Sequence, residues 1–287
     1  MLGVRRASAI LGALLAVCVL GPLAVAAGKA SPRPKPINPF QTPAMRAFLH
    51  SRGGNVTAAV ENLWTGRTYL YRPGVREHTA SIVKMDILET LLRQHQLRHT
   101  RLSPSEAATA TGMIEHSDNN DATALWNEVG GPGGVGAYNH RAGLTQTIPN
   151  GAWGLTLTTP LDQIRLLREL VLRPALLDPG AQRYELDLMN RVESDQRWGV
   201  SGGVPARADI ALKNGWLPYG GGWQINSVGR IKGLGRDYLI AVMTQHDPSM
   251  GYGIGTIQGI SAIVWRELAE REAGHWGTGV PSAASTG

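Results

Sequence analysis

Strand-like segments stand at both ends of this chain with a long helix-patterned stretch between them, an order that admits few architectures. Residues 56–64 and Arg67–Tyr71 flank the turn Thr65-Gly66 and predict a hairpin. Residues 208–213, 223–229 and 237–244 read as later strands. Between them, residues 81–92 carry apolar side chains around so much of a helical surface that the helix must be buried. Thr159 and Pro160 supply a cap and a first-position proline for another helix. Short and closing helices are expected over Pro43–His50 and 257–272. The fold this predicts is α/β of the α+β type: one antiparallel sheet flanked by helices, with an all-helical lobe inserted. No internal repeat is visible.

The first 26 residues have the pattern of a signal peptide: Arg5 and Arg6, an apolar run, then small residues at Ala24-Val25-Ala26. A retained anchor is the alternative, because the apolar stretch approaches the roughly 20 residues that span a bilayer. A lipoprotein reading would use Cys18, but Val17 before it is bulkier than such sites need. Residues 27–42 read as a proline-rich linker, residues 43–273 as one folded domain, and residues 274–287 as a flexible tail. Cys18 is the sole cysteine, so a mature chain without the leader has no disulfide and no thiolate ligand. Its stability must come from its core, and its length suffices for one. Loss of Arg5 and Arg6 takes the formal charge from +6 to +4, a mild attraction to anionic envelope polymers. Basic and aromatic residues are not interleaved in the manner of nucleic-acid binders.

Chemistry is suggested at three places. Ser81 and Lys84 are three apart at a helix start, which sets their side chains about 5 to 6 Å apart. Burial favours a neutral lysine, able to take the serine proton, and the helix N-terminus suits a forming anion. Alone, such a pair is a helix cap beside a surface lysine. The second place is Ser117-Asp118-Asn119, which on its own would be an N-cap. The third is Lys213-Asn214-Gly215, expected to end a strand.

Taken in this order, the three resemble the Ser-x-x-Lys, Ser-Asp-Asn and Lys-Thr-Gly signature of class A β-lactamases and penicillin-binding proteins. Gly203-Val204-Pro205-Ala206, Ile148-Pro149-Asn150 and Thr158-Thr159-Pro160 strengthen the likeness, which runs from about residue 55 to 272. The resemblance implies a β-lactamase or DD-peptidase-like fold without a cofactor or metal. It implies that Ser81 is acylated, Lys84 helps deprotonate it and Ser117 passes a proton to the leaving nitrogen. Asn119 would bond a substrate amide, Lys213 would attract a carboxylate, Gly215 would permit close approach, and the backbone N–H groups of Ser81 and Trp216 would form the oxyanion hole.

Two departures stand out. The family's general-base glutamate would fall near Arg141, yet no Asp or Glu occurs between Glu128 and Asp162. Asn139 or His140 would have to orient water instead. Asn214 replaces a Thr or Ser, though its amide can still donate. Beyond these two, Ser117 follows Ser81 by only 36 positions, implying a trimmed helical lobe.

Two functions stay open: a secreted or envelope-associated monomeric hydrolase opening a small β-lactam, or a module for β-lactams or cell-wall peptides that acylates and deacylates poorly. A rival elbow, Gly199-Val200-Ser201-Gly202-Gly203 with Asp209 and His246 downstream, lacks the strand–turn–helix setting it requires. The histidines offer no His-x-x-x-His pair with a partner acid, which argues against a zinc-dependent enzyme.

Overall fold

A computed structural model describes residues 38–53, 55–173 and 175–272. The expected leader and tail lie outside the described residues, as does most of the linker. The end of the linker is not extended throughout. Pro39–Gln41 form a 3-10 turn, and the Phe40 ring is buried 6.0 Å from that of Tyr71.

Five antiparallel strands form the sheet: β1 (Asn55–Asn62), β2 (Arg67–Tyr71), β5 (Asp209–Tyr219), β6 (Gly222–Gly233) and β7 (Arg236–Asp247), in the order β2-β1-β7-β6-β5. A short pair, β3 (Glu77–His78) and β4 (Leu157–Thr158), sits apart. The helices are α1 (Pro43–His50), α2 (Val83–Leu97), α3 (Pro104–Glu115), α4 (Asn119–Glu128), α5 (Gly131–Ala142), α6 (Pro160–Glu169), α7 (Pro179–Asn190) and α8 (Met250–Glu272).

Both faces of the sheet are covered, as the alternation along β7 shows. Leu239, Ala241 and Met243 join the core under the helical lobe, while Tyr238, Ile240 and Val242 join the core shared with α8. At Gly259 of α8 the Phe48 ring of α1 takes the place of a side chain, since a Cβ there would meet it at 2.1 Å and have to displace it. Ser103 and Glu106 close a capping box at the start of α3.

The strands differ in length from their sequence patterns. β1 stops at Asn62, whose Oδ1 accepts from the N–H groups of Trp64 and Thr65, so Trp64 belongs to the turn. β5 continues past Gly215 to Tyr219, and Lys213-Asn214-Gly215 is mid-strand rather than terminal. Its hairpin to β6 is the two-residue loop Gly220-Gly221, with φ of 62° and 81°, the left-handed pair of a type I′ turn. α8 begins at Met250, earlier than expected.

The first ten residues of α2 are all buried, so its acids there are buried as well as its apolar residues. Asp86 and Glu89 are 2% and 0% exposed, and Glu185 of α7 is 0% exposed. Asp86 accepts from Asn139 Nδ2 at 2.9 Å and Glu89 from the Tyr138 hydroxyl at 2.5 Å. Burial raises the Asp86 carboxyl from 3.8 to about 7, and lifts Glu89 and Glu185 well above the usual carboxylate range. These acids hold protons in the folded chain at pH values where the unfolded chain has lost them. Unfolding therefore releases protons, and stability falls as pH rises. For Asp86 the loss spreads between its two pKa values, from about 4 up to about 7, and amounts to about 4 kcal/mol. The melting temperature is expected to fall steadily from pH 5 to pH 8 and to fall less in Asp86→Asn, as thermal melts at matched ionic strength will show.

Candidate active site

Ser81 is the middle residue of a 3-10 turn, Ala80–Ile82, that precedes α2 and is not part of it. The turn is fixed from several sides. Ala80 has φ of 46°, a left-handed value that a residue with a Cβ adopts at a cost. Asn226 of β6 donates from Nδ2 to the carbonyls of His78 and Thr79, at 2.8 and 2.9 Å. Thr79 N–H donates to Thr156 O at 2.8 Å. On the remaining side lies Gly215 of β5, where a Cβ would stand 2.7 Å from Ser81 N, 2.7 Å from Thr79 O and 2.9 Å from Ile82 N. Only glycine lets the strand lie against the turn.

Lys84, in the first turn of α2, is 0% exposed. Its Nζ donates to Ser117 O at 2.5 Å, Asn119 Oδ1 at 2.8 Å and Ser117 Oγ at 3.2 Å, so three acceptors match its three N–H bonds. Burial draws it down to about 8, against the opposing pull of Asp118 and Asp121. Among the described residues Ser81 Oγ has no hydrogen bond, so the resting lysine faces Ser117 rather than the serine three residues before it.

Ser117 joins α3 to α4 with φ of 56°. The Asp118 N–H holds this turn by donating to Gly112 O at 3.0 Å, and Asp118 Oδ1 caps α4 by accepting from Asn120 N and Asp121 N. Lys213 Nζ reaches the same hydroxyl, Ser117 Oγ, at 2.9 Å. Burial and the charge of Lys84 hold Lys213 well below its ordinary value. The three distant motifs therefore meet: Lys84 and Lys213 approach Ser117 Oγ from two sides, beside a cleft of about 340 Å³ lined by Ser81, Asn119, Trp153, Leu155, Trp216 and Leu217 among others.

Two expected substrate contacts are redirected. Lys213 is 0% exposed and does not line the cleft, its amine being bonded to Ser117 Oγ and Asn214 O. The Asn214 side chain is also 0% exposed. Its Nδ2 donates to Gln196 O at 2.6 Å and Trp198 O at 3.1 Å, which uses both N–H bonds and leaves none for a carboxylate. The water-orienting candidates fall elsewhere too. Asn139 is buried against Asp86, His140 is exposed on α5, and neither lines the cleft. None of the residues lining it carries a carboxylate.

Sequence reasoning missed Trp153. It stands in a 3-10 turn, Trp153–Leu155, with its ring centroid 5.1 Å from Lys84 Nζ and its Nε1 donating to Thr123 Oγ1 at 3.2 Å. Trp216 also lines the cleft and meets Trp198 edge-on at 5.7 Å. The rival elbow is a glycine-rich turn packed on α8, where a Cβ at Gly202 or Gly203 would collide with Gln258 or Ala262. Ser201 Oγ donates to Arg197 O at 2.6 Å. His95, Glu106 and Glu128 bring one donor atom each within 4.8 Å of one another, but they lie on the helical lobe and not in the cleft.

A sheet with helices on both faces, and a serine turn, two lysines and a second serine gathered at one cleft, define the β-lactamase-like serine hydrolase class. A sequence profile of the β-lactamase enzyme family matches residues 95–268, and the chain belongs to that family. The matched span includes Ser117 and Lys213 and begins after Lys84. LppW of Mycobacterium tuberculosis, a protein named as a lipoprotein, is 29% identical over 180 residues, 57% of this chain and 54% of LppW. The chain thus spans about half the length of the curated relatives it matches. The class A β-lactamase of Mycobacterium abscessus superposes with a TM-score of 0.66 at 23% identity, covering 78% of this chain and 97% of that one. A class A representative from Bacteroides cellulosilyticus gives 0.71 at 20% identity, with coverage of 82% and 99%. These structures are alike in fold.

Proposed function

We propose that the protein is a serine hydrolase that attacks a β-lactam or related amide through an acyl-Ser81 intermediate. The observation that carries this reading is the convergence of Lys84, Ser117 and Lys213 beside the Ser81 turn. Neutral Lys84 accepts the Ser81 hydroxyl proton as Oγ bonds to the carbonyl carbon. The negative charge that forms on the carbonyl oxygen is met by the backbone N–H groups of Ser81 and Trp216, on the turn and strand that Gly215 brings together. The carbon–nitrogen bond then breaks, and the nitrogen takes a proton from Ser117 Oγ, which is resupplied by the lysine that holds one. Asn119 Oδ1 is bonded to Lys84, and its Nδ2, without a partner among the described residues, donates to a substrate carbonyl.

A second reading, that of a module that acylates and stays acylated, is favoured by the absence of a carboxylate from the cleft lining. Loss of a general base costs about 10²- to 10⁴-fold in the step that needs it. In this reading a β-lactam or wall peptide is bound and retained, with the protein held at the cell envelope. The lipoprotein name of LppW and the mildly basic balance of this chain support that location. No helix among the described residues is long and apolar enough to cross a membrane.

Stopped-flow absorbance with a chromogenic cephalosporin, paired with intact mass, tests both readings. Sustained turnover that Ser81→Ala abolishes is the result expected of the hydrolase. A stable mass increase located on Ser81 is the result expected of the trap. If Ser81→Ala matches the wild type in both measurements, the acyl-serine proposal is wrong.

A further inference from the structure

The indole of Trp153 lines the cleft, and no step of the acylation chemistry uses it. Its position is held twice. Nε1 donates to Thr123 Oγ1 on α4, one helical turn beyond Asn119, and the 3-10 turn that carries it lies against the serine turn, where a Cβ on Gly154 would be 3.8 Å from Ala80 Cα. The ring faces Lys84 Nζ at 5.1 Å. Ser117 O, Ser117 Oγ and Asn119 Oδ1 take the three N–H bonds of the ammonium, and the indole lies over it as a further neighbour.

Release of an acyl group makes a definite demand. Water oxygen must bond to the ester carbon, the bond from that carbon to Ser81 Oγ must break, one water proton must finish on Oγ, and the acid product must leave. That water needs a base within hydrogen-bond reach, about 2.6–3.2 Å. The cleft lining has no carboxylate, and the two amines nearest it are both buried. Lys84 Nζ meets two lining residues, Asn119 and Trp153, whereas Lys213 Nζ is bonded to Ser117 Oγ and Asn214 O. Lys84 is thus the base that these contacts bring to the cleft, and Trp153 lies over it there.

We propose that Trp153 is a positioning residue that prolongs the acyl-enzyme, its indole face closing the path of water to the Lys84 amine. The inference rests on the acyl-Ser81 reading and names the group that governs how long the adduct lasts. The indole also supplies a flat apolar surface for the bound acyl group, in a cleft that Trp216 lines as well.

The adduct formed with a chromogenic cephalosporin is to be followed by intact mass in the wild type, Trp153→Ala and Trp153→Phe. Trp153→Ala is expected to shorten the adduct lifetime by at least about tenfold, less than the 10²- to 10⁴-fold of a purpose-placed base. Trp153→Phe, which keeps an aromatic face and loses the bond to Thr123, stays within about threefold of the wild type, an outcome that general loosening of the turn would not give. If the alanine variant does not fold, Trp153→Leu takes its place and is expected to shorten the lifetime at least about threefold by leaving room for a water. A lifetime in Trp153→Ala, or in its substitute, equal to or longer than that of the wild type overturns the inference and leaves the acyl-serine reading intact. A phenylalanine adduct as short-lived as the alanine one overturns it as well. No mass increase on Ser81 in the wild type removes the acyl-serine reading and this inference with it.

Discussion

Lys84→Ala is expected to lower the rate of Ser81 acylation by about 10²- to 10⁴-fold, the range that a positioned general base supplies. The lysine is buried and bonded to Ser117 and Asn119, so at rest it is a satisfied ammonium. Only its neutral form has a lone pair for the Ser81 proton. With its pKa drawn down to about 8, about one molecule in ten has that form at pH 7 and about nine in ten at pH 9. Acylation by the wild type should therefore rise about tenfold over this interval, with its midpoint near 8, and stay flat in Lys84→Ala. Burst rates from stopped-flow absorbance across pH provide the measurement. An unchanged rate in the variant would transfer the role of base to another group, Lys213 first.

Gly215→Ala should be nearly as damaging, although glycine carries no functional group. The added methyl would enter space held by Ser81 N, Thr79 O and Ile82 N, all backbone atoms within 3 Å of it. Backbone cannot rotate out of the way as a side chain can, so β5 and the serine turn must separate. Overpacking of this kind costs about 1–3 kcal/mol of stability. The functional loss is larger, because the separation pulls Trp216 N–H away from Ser81 N–H, and one oxyanion donor is worth about 10²- to 10³-fold. The expected result is a modest drop in melting temperature with acylation reduced by at least about 10²-fold. Acylation at the wild-type rate would show that strand and turn need not touch.

The readable part of this molecule is the part whose chemistry lies in consecutive residues. Ser81 and Lys84, Ser117 to Asn119, and Lys213 to Gly215 each show a spacing, and the structure brings the three together. The antiparallel sheet with its inserted helices was legible from the order of strand and helix patterns. What stayed hidden depends on how distant segments pack. The apolar density of α2 implied burial but not that Asp86 and Glu89 would be buried with it, because that follows from α5 and α7 closing over the helix's polar side. Asn214 had the composition of a donor, yet its direction is set by the carbonyls of Gln196 and Trp198 across a loop. Lys213 is a cation in sequence and a buried neighbour of Ser117 in space. Trp153 lay in a stretch that reads as loop, and no pattern in it foretells an indole against Lys84.

The placement of β7 between β1 and β6 has a consequence for how the chain comes into being. β1 pairs along its whole length with β7, residue 55 with 245 and residue 62 with 238. A nascent chain leaving the ribosome cannot complete this sheet until its final strand has been synthesised, so β1 waits with β2 as an isolated hairpin, marginal at best in water. The helices between them have their contacts closer in sequence and can gather first. The serine turn is held by β5 and β6, so a truncated chain that ends before β5 lacks the geometry proposed for acylation.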